Sequence, residues 1–149
     1  MGYTPRRQAF LWVPDDCSSV IPQSHIDILE KQSFAQLATV MPDGTPQVTP
    51  VWVSHEDREF VLVNTARGRQ KEKNIRNNPK VGVSILDPDD PYRYVSVRGT
   101  ATLTEEGAVE HINELTQKYM GKAEYPHLGE ESGPRVVVRI STDDVVTAV

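Results

Sequence analysis

The residues best suited to chemistry lie in one stretch, Asn64–Pro79, which reads NTARGRQKEKNIRNNP. It follows an apolar strand (Phe60–Val63) and carries Arg67, Arg69, Lys71, Lys73 and Arg76 against a single acid, Glu72. A glycine after the strand and a proline at the far end bracket a short helix, Arg69–Asn78. At about 3.6 residues per turn, Arg69, Lys73 and Arg76 share one side, while Lys71 falls on the other with Asn74 and Ile75. Ile75 is the helix's only large apolar residue, so it is the anchor that faces the core. Lys71 therefore points inward or along the rim, where a lone ammonium is costly unless an anion meets it. Backbone N–H groups at the helix start add partial positive charge at the same place. Two readings follow: a phosphate seat at Arg67, Arg69 and Lys71, or a solvated basic helix of the kind most charge runs make.

Composition weighs on that choice. A net charge of −5 opposes nucleic acid as the principal partner, because phosphate backbones reward basic surfaces. The basic cluster is a local exception on an acidic chain, which favours a small anionic ligand. Aromatic residues at 7% also leave little for stacking on single strands. Cys17 is the only cysteine, so neither an intramolecular disulfide nor a cysteine-rich metal site is available. His25, His55, His111 and His127 lack zinc-site spacing, and the prolines of DPDDP break any calcium-loop pattern around Asp87, Asp89 and Asp90. No nucleophile elbow, dinucleotide fingerprint or P-loop occurs. No acid–base pair is marked either, so catalytic residues stay unassigned and an enzyme of this kind would take its chemistry from a bound cofactor. With no signal peptide and no membrane-length apolar run, a cytoplasmic protein without a membrane partner is expected.

The elements that must position the basic stretch read as follows. Residues 1–23 mix charge, proline and scattered aromatics (Tyr3, Phe10, Trp12); they form an N-terminal arm that packs on a partner subunit, or a loose extension. Residues 24–149 form one domain, long enough to bury a core. Ser24 and Asp27 mark a short helix that ends near Gln32. Phe34–Met41 and Gln47–Ser54 are strands joined by a Pro42–Asp43–Gly44 turn. Pro50 cannot donate to a ladder, so one side of the second strand is unpaired or bulged there. His55–Glu59 is a polar turn into Phe60–Thr65. Lys80–Leu86 and Tyr92–Thr104 are strands separated by the loop Asp87–Pro91, and Gly99 suggests the bend that closes a barrel. Thr104 caps a helix with an Ala108, Ile112, Leu115 and Tyr119 stripe that ends at Gly121. Pro134–Ile140 and Val145–Val149 complete six or seven antiparallel strands, with two or three helical connections. Edges of that number are best hidden by closure, which gives a mainly β, small-barrel fold.

The order of these pieces (ATV-x-PDG-x-P, then TPVW, VNT, an R-x-K helix finishing NNPKV, and a long strand with V-x-G-x-A) resembles the pyridoxamine 5′-phosphate oxidase-like split β-barrel superfamily, which binds flavins. Within it, residues 24–149 are most similar to the deazaflavin (F420)-dependent reductases of the FDOR-B type. The resemblance implies a groove at a homodimer interface that holds the cofactor. Arg69 and Lys71 would grip its phosphate, with Asn64, Thr65 and Arg67 lining the approach. Thr49, Pro50, Val51 and Trp52 would lie beside the tricyclic ring, with Thr39 nearby; Trp52 could equally be core. The partner chain would contribute from Tyr92–Tyr94 and from the loop before Pro134. The implied activity is hydride transfer between coenzyme F420 and a small organic acceptor. FMN is the alternative cofactor, and a non-catalytic flavin or deazaflavin carrier the alternative role. The chain stops at STDDVVTAV without the Arg-rich segment of the true vitamin oxidases, so vitamin oxidation is not expected.

Overall fold

The structure, a computed structural model, describes residues 20–148. Most of the expected N-terminal arm, residues 1–19, and Val149 lie outside the described residues. Ile21, still within the expected arm, is fully buried, and its backbone is tied to Arg58 in both directions.

The chain is mainly β, with eight antiparallel strands and three helices among the described residues. In order they are α1 (Ile26–Glu30), β1 (Ala35–Val40), β2 (Pro46–Val51), β3 (Ser54–Glu56), β4 (Phe60–Ala66), α2 (Gln70–Asn77), β5 (Lys80–Asp87), β6 (Asp90–Thr104), α3 (Ala108–Met120), β7 (Arg135–Ser141) and β8 (Asp144–Ala148). The strand order is β2-β1-β5-β6-β7-β4-β3, with β8 on β6. The eighth strand is β3, read from the sequence as a polar turn. Ser54–Glu56 pairs with Phe60–Leu62, and Asp57 and Arg58 take positive φ between them. Without glycine or asparagine there, the usual hairpin signal was missing.

The 15-residue β6 joins the two halves of the barrel. Tyr94–Arg98 pairs with β8, and Ala101–Thr104 pairs with β7. Gly99 sits at this exchange of partners. A Cβ there would lie 1.7 Å from the Ser141 carbonyl oxygen, so only glycine lets β6 pass the end of β7. Period-two alternation fills the interior: Val81, Val83 and Ile85 from β5, Val95 and Val97 from β6, Val61 and Val63 from β4, and Val138 and Ile140 from β7 are all buried.

The helices depart from their expected caps. α1 begins at Ile26, and the Ser24 hydroxyl meets His25 Nδ1 instead of capping. Thr104 accepts the Glu106 N–H in a local turn, and α3 starts two residues beyond, after Gly107 in left-handed conformation. Its Ala108, Ile112 and Leu115 stripe is buried against β7 and β4, and Gly121 ends it at φ 72°.

Candidate functional site

Gly68, at φ +94°, turns β4 into α2. Glu72 organises this turn. Its carboxylate accepts from the Gly68 N–H (2.8 Å), from Arg67 Nη1 (3.1 Å) and from Arg76, and none of its side chain is exposed. Burial opposes its charge, but the hydrogen bonds from Arg76, Gly68 and Arg67 outweigh it and keep the carboxyl below its ordinary range. Arg67 also reaches Glu105 at 3.0 Å. Glu72 and Glu105 thus neutralise Arg67 and Arg76, Arg69 pairs with Glu131, and Lys73 is exposed. Arg69 and Lys71 face a cavity of about 220 Å³.

That cavity gathers Pro50, Val51 and Trp52 from β2 and the residue after it, Asn64 and Thr65 from β4, and Arg69 and Lys71 from the start of α2. All seven belong to the expected site. The other three lie elsewhere. Arg67 is held by Glu72 and Glu105. Thr49 sits in the middle of β2, paired opposite Leu37. Thr39 is buried, accepts from Asn74 Nδ2 (3.0 Å) and donates to Gln47, so it pins α2 to β1. β2 ends the sheet order, and among the described residues it pairs only with β1, so its outer edge has no strand partner there, as Pro50 suggests.

The remaining wall was not singled out from sequence. Phe34, Ile112, Leu115, Tyr125 and Arg135 complete the lining. Trp52 stacks on Tyr119 (5.0 Å between centroids, 4° between planes) and meets Tyr125 edge-on at 6.3 Å. It is both packed and on the cavity wall. Arg135 donates from Nε to Asn64 Oδ1 (2.8 Å) and from Nη1 to Glu131, and its guanidinium lies 5.0 Å over the Tyr125 ring. Arg69 donates to the same Glu131 carboxylate at 3.1 and 3.2 Å.

Behind Asn64 lies a constellation with triad geometry. Ser54 Oγ is 3.0 Å from His111 Nε2, and His111 Nδ1 is 3.0 Å from Asn64 Nδ2. The proton assignments rule against a nucleophile–base pair. Arg135 Nε only donates, so the Asn64 oxygen must face it, and the Asn64 amide nitrogen must face His111. Nδ1 is then the acceptor, and Nε2–H donates to Ser54. A histidine that donates to a hydroxyl cannot take its proton. Burial, reinforced by Arg135 and Lys118, lowers the imidazole to about 4, so it stays neutral and fixes Asn64.

Two features of the cavity wall are left without partners. Lys71 is half-buried, and no carboxylate lies within ion-pair distance among the described residues. Desolvation lowers its pKa, with Arg69 and Arg135 adding like-charge repulsion. Thr65 Oγ1 is a buried side-chain polar atom without a hydrogen-bond partner among the described residues. A bound anion with hydrogen-bonding oxygens would answer both.

Known proteins place this geometry in context. An F420 reductase structure superposes with a TM-score of 0.72 at 32% identity, covering 84% of this chain and 98% of that one. A conserved hypothetical protein from Mycobacterium tuberculosis is similar at 27% identity and TM-score 0.68, with 88% of each chain covered. A Listeria innocua protein assigned as a pyridoxamine 5′-phosphate oxidase matches at 27% identity and TM-score 0.61, covering 81% of this chain and 92% of that one. The sequence profile described as pyridoxamine 5′-phosphate oxidase matches residues 21–147, nearly the whole described chain, and the chain therefore belongs to that family.

Proposed function

We propose that this protein is an F420-dependent oxidoreductase whose cofactor sits at a homodimer interface. The observation that carries the reading is the Lys71 ammonium beside Arg69, without a carboxylate among the described residues, with the Thr65 hydroxyl, likewise without a partner among them, on the same wall and an aromatic wall at Trp52. Arg69 and Lys71 hold a phosphate oxygen cluster, with Asn64 and Thr65 at its approach. Pro50, Val51 and Trp52 set the plane of the tricyclic ring, and the free edge of β2 offers backbone groups to its polar rim. When bound, the deazaflavin supplies the hydride that reduces a small organic acceptor. The chain's own part is to anchor, orient and keep water from the ring.

Size supports the second subunit. A cavity of about 220 Å³ is below the ~300 Å³ at which small-molecule sites begin, so one chain holds only part of a tricyclic nucleotide. Phe34 lines the cavity 57% exposed, and Val48 on β2 is exposed to the same degree, which leaves an apolar rim for another copy to cover. Tyr92, 81% exposed, is the proposed contribution of the partner chain.

F420 is preferred to FMN because the 32% identical structure is an F420 reductase. The basic residues alone fit either phosphate. A titration with F420 and FMN side by side, read by fluorescence quenching, tests the reading. Saturable F420 binding at a stoichiometry of one per chain supports it; a protein that purifies yellow and prefers FMN transfers the activity to flavin. Tight F420 binding without turnover of any acceptor indicates a carrier, and binding of neither sinks the proposal.

A further inference from the structure

We propose that Arg135 is a third cation of the anion seat, touching the ligand's phosphate together with Arg69 and Lys71. This rests on the cofactor reading above for the identity of the ligand, and on geometry for the rest. The side chain is only 5% exposed, yet it lines the cavity. A guanidinium has five N–H donors. Asn64 takes the one on Nε, and Glu131 takes one on Nη1. The remaining three have no protein acceptor among the described residues. Nη2 is not itself shut away, since among the described residues Thr65 Oγ1 is the buried side-chain polar atom without a partner; its donors are therefore open to an incoming anion, while the rest of the side chain is held in place.

The supports of Arg135 are arranged to leave its cavity side open. Glu131 does not line the cavity; it lines a second one, of about 430 Å³, in which Arg135 is also a wall residue. Arg135 thus forms the partition, with Glu131 behind it and the ligand space in front. The backbone that carries Glu131 is fixed to the Arg69 turn. Ser132 Oγ donates to the Arg67 carbonyl (2.6 Å), Arg67 N–H donates to the Pro134 carbonyl (2.9 Å), and a Cβ on Gly133 would press Arg67 at 2.9 Å. One carboxylate therefore sets the spacing of two guanidiniums that face the same space. Asn64, locked by neutral His111, fixes the other end of Arg135. In this arrangement Glu131, Asn64 and His111 are positioning residues.

The test uses the full-length protein with inorganic phosphate, FMN and riboflavin as probes. Arg135→Met is expected to weaken inorganic phosphate and FMN at least tenfold while riboflavin, which lacks the phosphate, changes less than twofold. Arg135→Lys is expected to fall between, since it keeps the charge and loses the fork. In the wild-type protein, phosphate should shift the Arg135 and Arg69 Nε–H signals in arginine-selective NMR spectra and leave those of Arg67 and Arg76, which Glu72 holds. That measurement decides the matter if the variants do not fold. Unchanged phosphate affinity in Arg135→Met, an equal loss for riboflavin, or a shift at Arg69 alone overturns the inference. If neither FMN nor F420 binds while phosphate still moves Arg135, the cofactor reading has failed and this one stands.

Discussion

Replacing Lys71 with Met should make the free protein more stable and the liganded one weaker, a combination that an ordinary structural lysine would not give. Lys71 is half-buried, desolvated, repelled by Arg69 and Arg135, and without a carboxylate among the described residues. Methionine fills a similar volume without the charge, so the substitution belongs with stabilising changes at functional sites, worth about 0.5–2 kcal/mol. In a chain of this size that is a rise in Tm of about 2–6 °C. Binding should move the other way. A hydrogen bond to a charged group is worth about 1.5–3 kcal/mol, so Kd for the cofactor should rise by about 10- to 150-fold. Lys73→Met is the control: Lys73 is exposed on the outer side of α2, and its loss should cost no more than a few tenths of a kcal/mol, about twofold in Kd. Differential scanning fluorimetry without ligand and a fluorescence titration with ligand read the two halves. If Lys71→Met melts lower and binds as before, the ammonium is part of the scaffold and the reasoning is wrong. Equal losses from Lys71→Met and Lys73→Met would mean diffuse attraction in place of a seat.

Three further perturbations separate scaffold from site. Gly99→Ala puts a methyl 1.7 Å from the Ser141 carbonyl and should cost about 3 kcal/mol or more, seen as a collapse of the cooperative thermal transition; a Tm within 2 °C, well inside that loss, would show that β6 and β7 part easily. Glu72→Ala leaves Arg67 and Arg76, both partly exposed, to be resolvated, so its cost is the lost hydrogen bonds, about 1–3 kcal/mol by urea unfolding; a change within error would deny Glu72 its organising part. His111 gives a pH signature. Its folded pKa of about 4 lies below the ordinary 6.5, so the native state keeps the neutral ring while the unfolded chain takes a proton. Its contribution is fully present above pH ~6.5 and declines as pH falls toward 4, by up to about 1.4 kcal/mol per unit. His111→Gln should flatten the urea-unfolding stability profile in that window by about one proton, and an unaltered slope would assign the acid sensitivity elsewhere.

The sequence carried the parts of the site that depend on local periodicity. Counting around one helix turn separated inward Lys71 from outward Lys73, and alternation with a lone Gly99 marked the strand that exchanges partners. What it could not carry was anything fixed by distant pairing. Glu72 looked like an isolated acid in a basic run, yet Arg67 and Arg76 fold over it and none of it is exposed. Arg135 falls on the opposite face of β7 from Val136 and Val138, which in a one-sided sheet would be solvent. Here α3 packs on that face, so β7 is buried on both sides and Arg135 with it. The apolar stripe of α3 is readable in the sequence, but which strand it covers, and so which arginine it buries, is set by packing between segments far apart in the chain. His111 is marked in the sequence only as one of four histidines without zinc-site spacing, since its partners Ser54 and Asn64 lie 57 and 47 residues away.

The distribution of ion pairs argues for a site more strongly than the basic stretch itself. The chain has 21 acidic residues against 16 lysines and arginines, so carboxylates are in surplus. They are used freely: Arg67, Arg76, Arg93, Arg98, Arg139 and Lys31 each meet at least one. At the cavity the pattern stops. Lys71 has no acid among the described residues, and one carboxylate, Glu131, serves both Arg69 and Arg135 from behind. Scarcity cannot explain this, and stability alone would select against it, because the Lys71 ammonium is desolvated. Among the described residues, the other cations without a carboxylate are exposed (Lys73, Lys80 and Lys122) or donate to backbone carbonyls (Arg58 to Ile21, Lys118 to Leu29 and Val53), whereas half-buried Lys71 has neither full exposure to water nor a protein acceptor to complete it. An anion seated next to the aromatic wall, as proposed above, would be the completing group that sign and location call for.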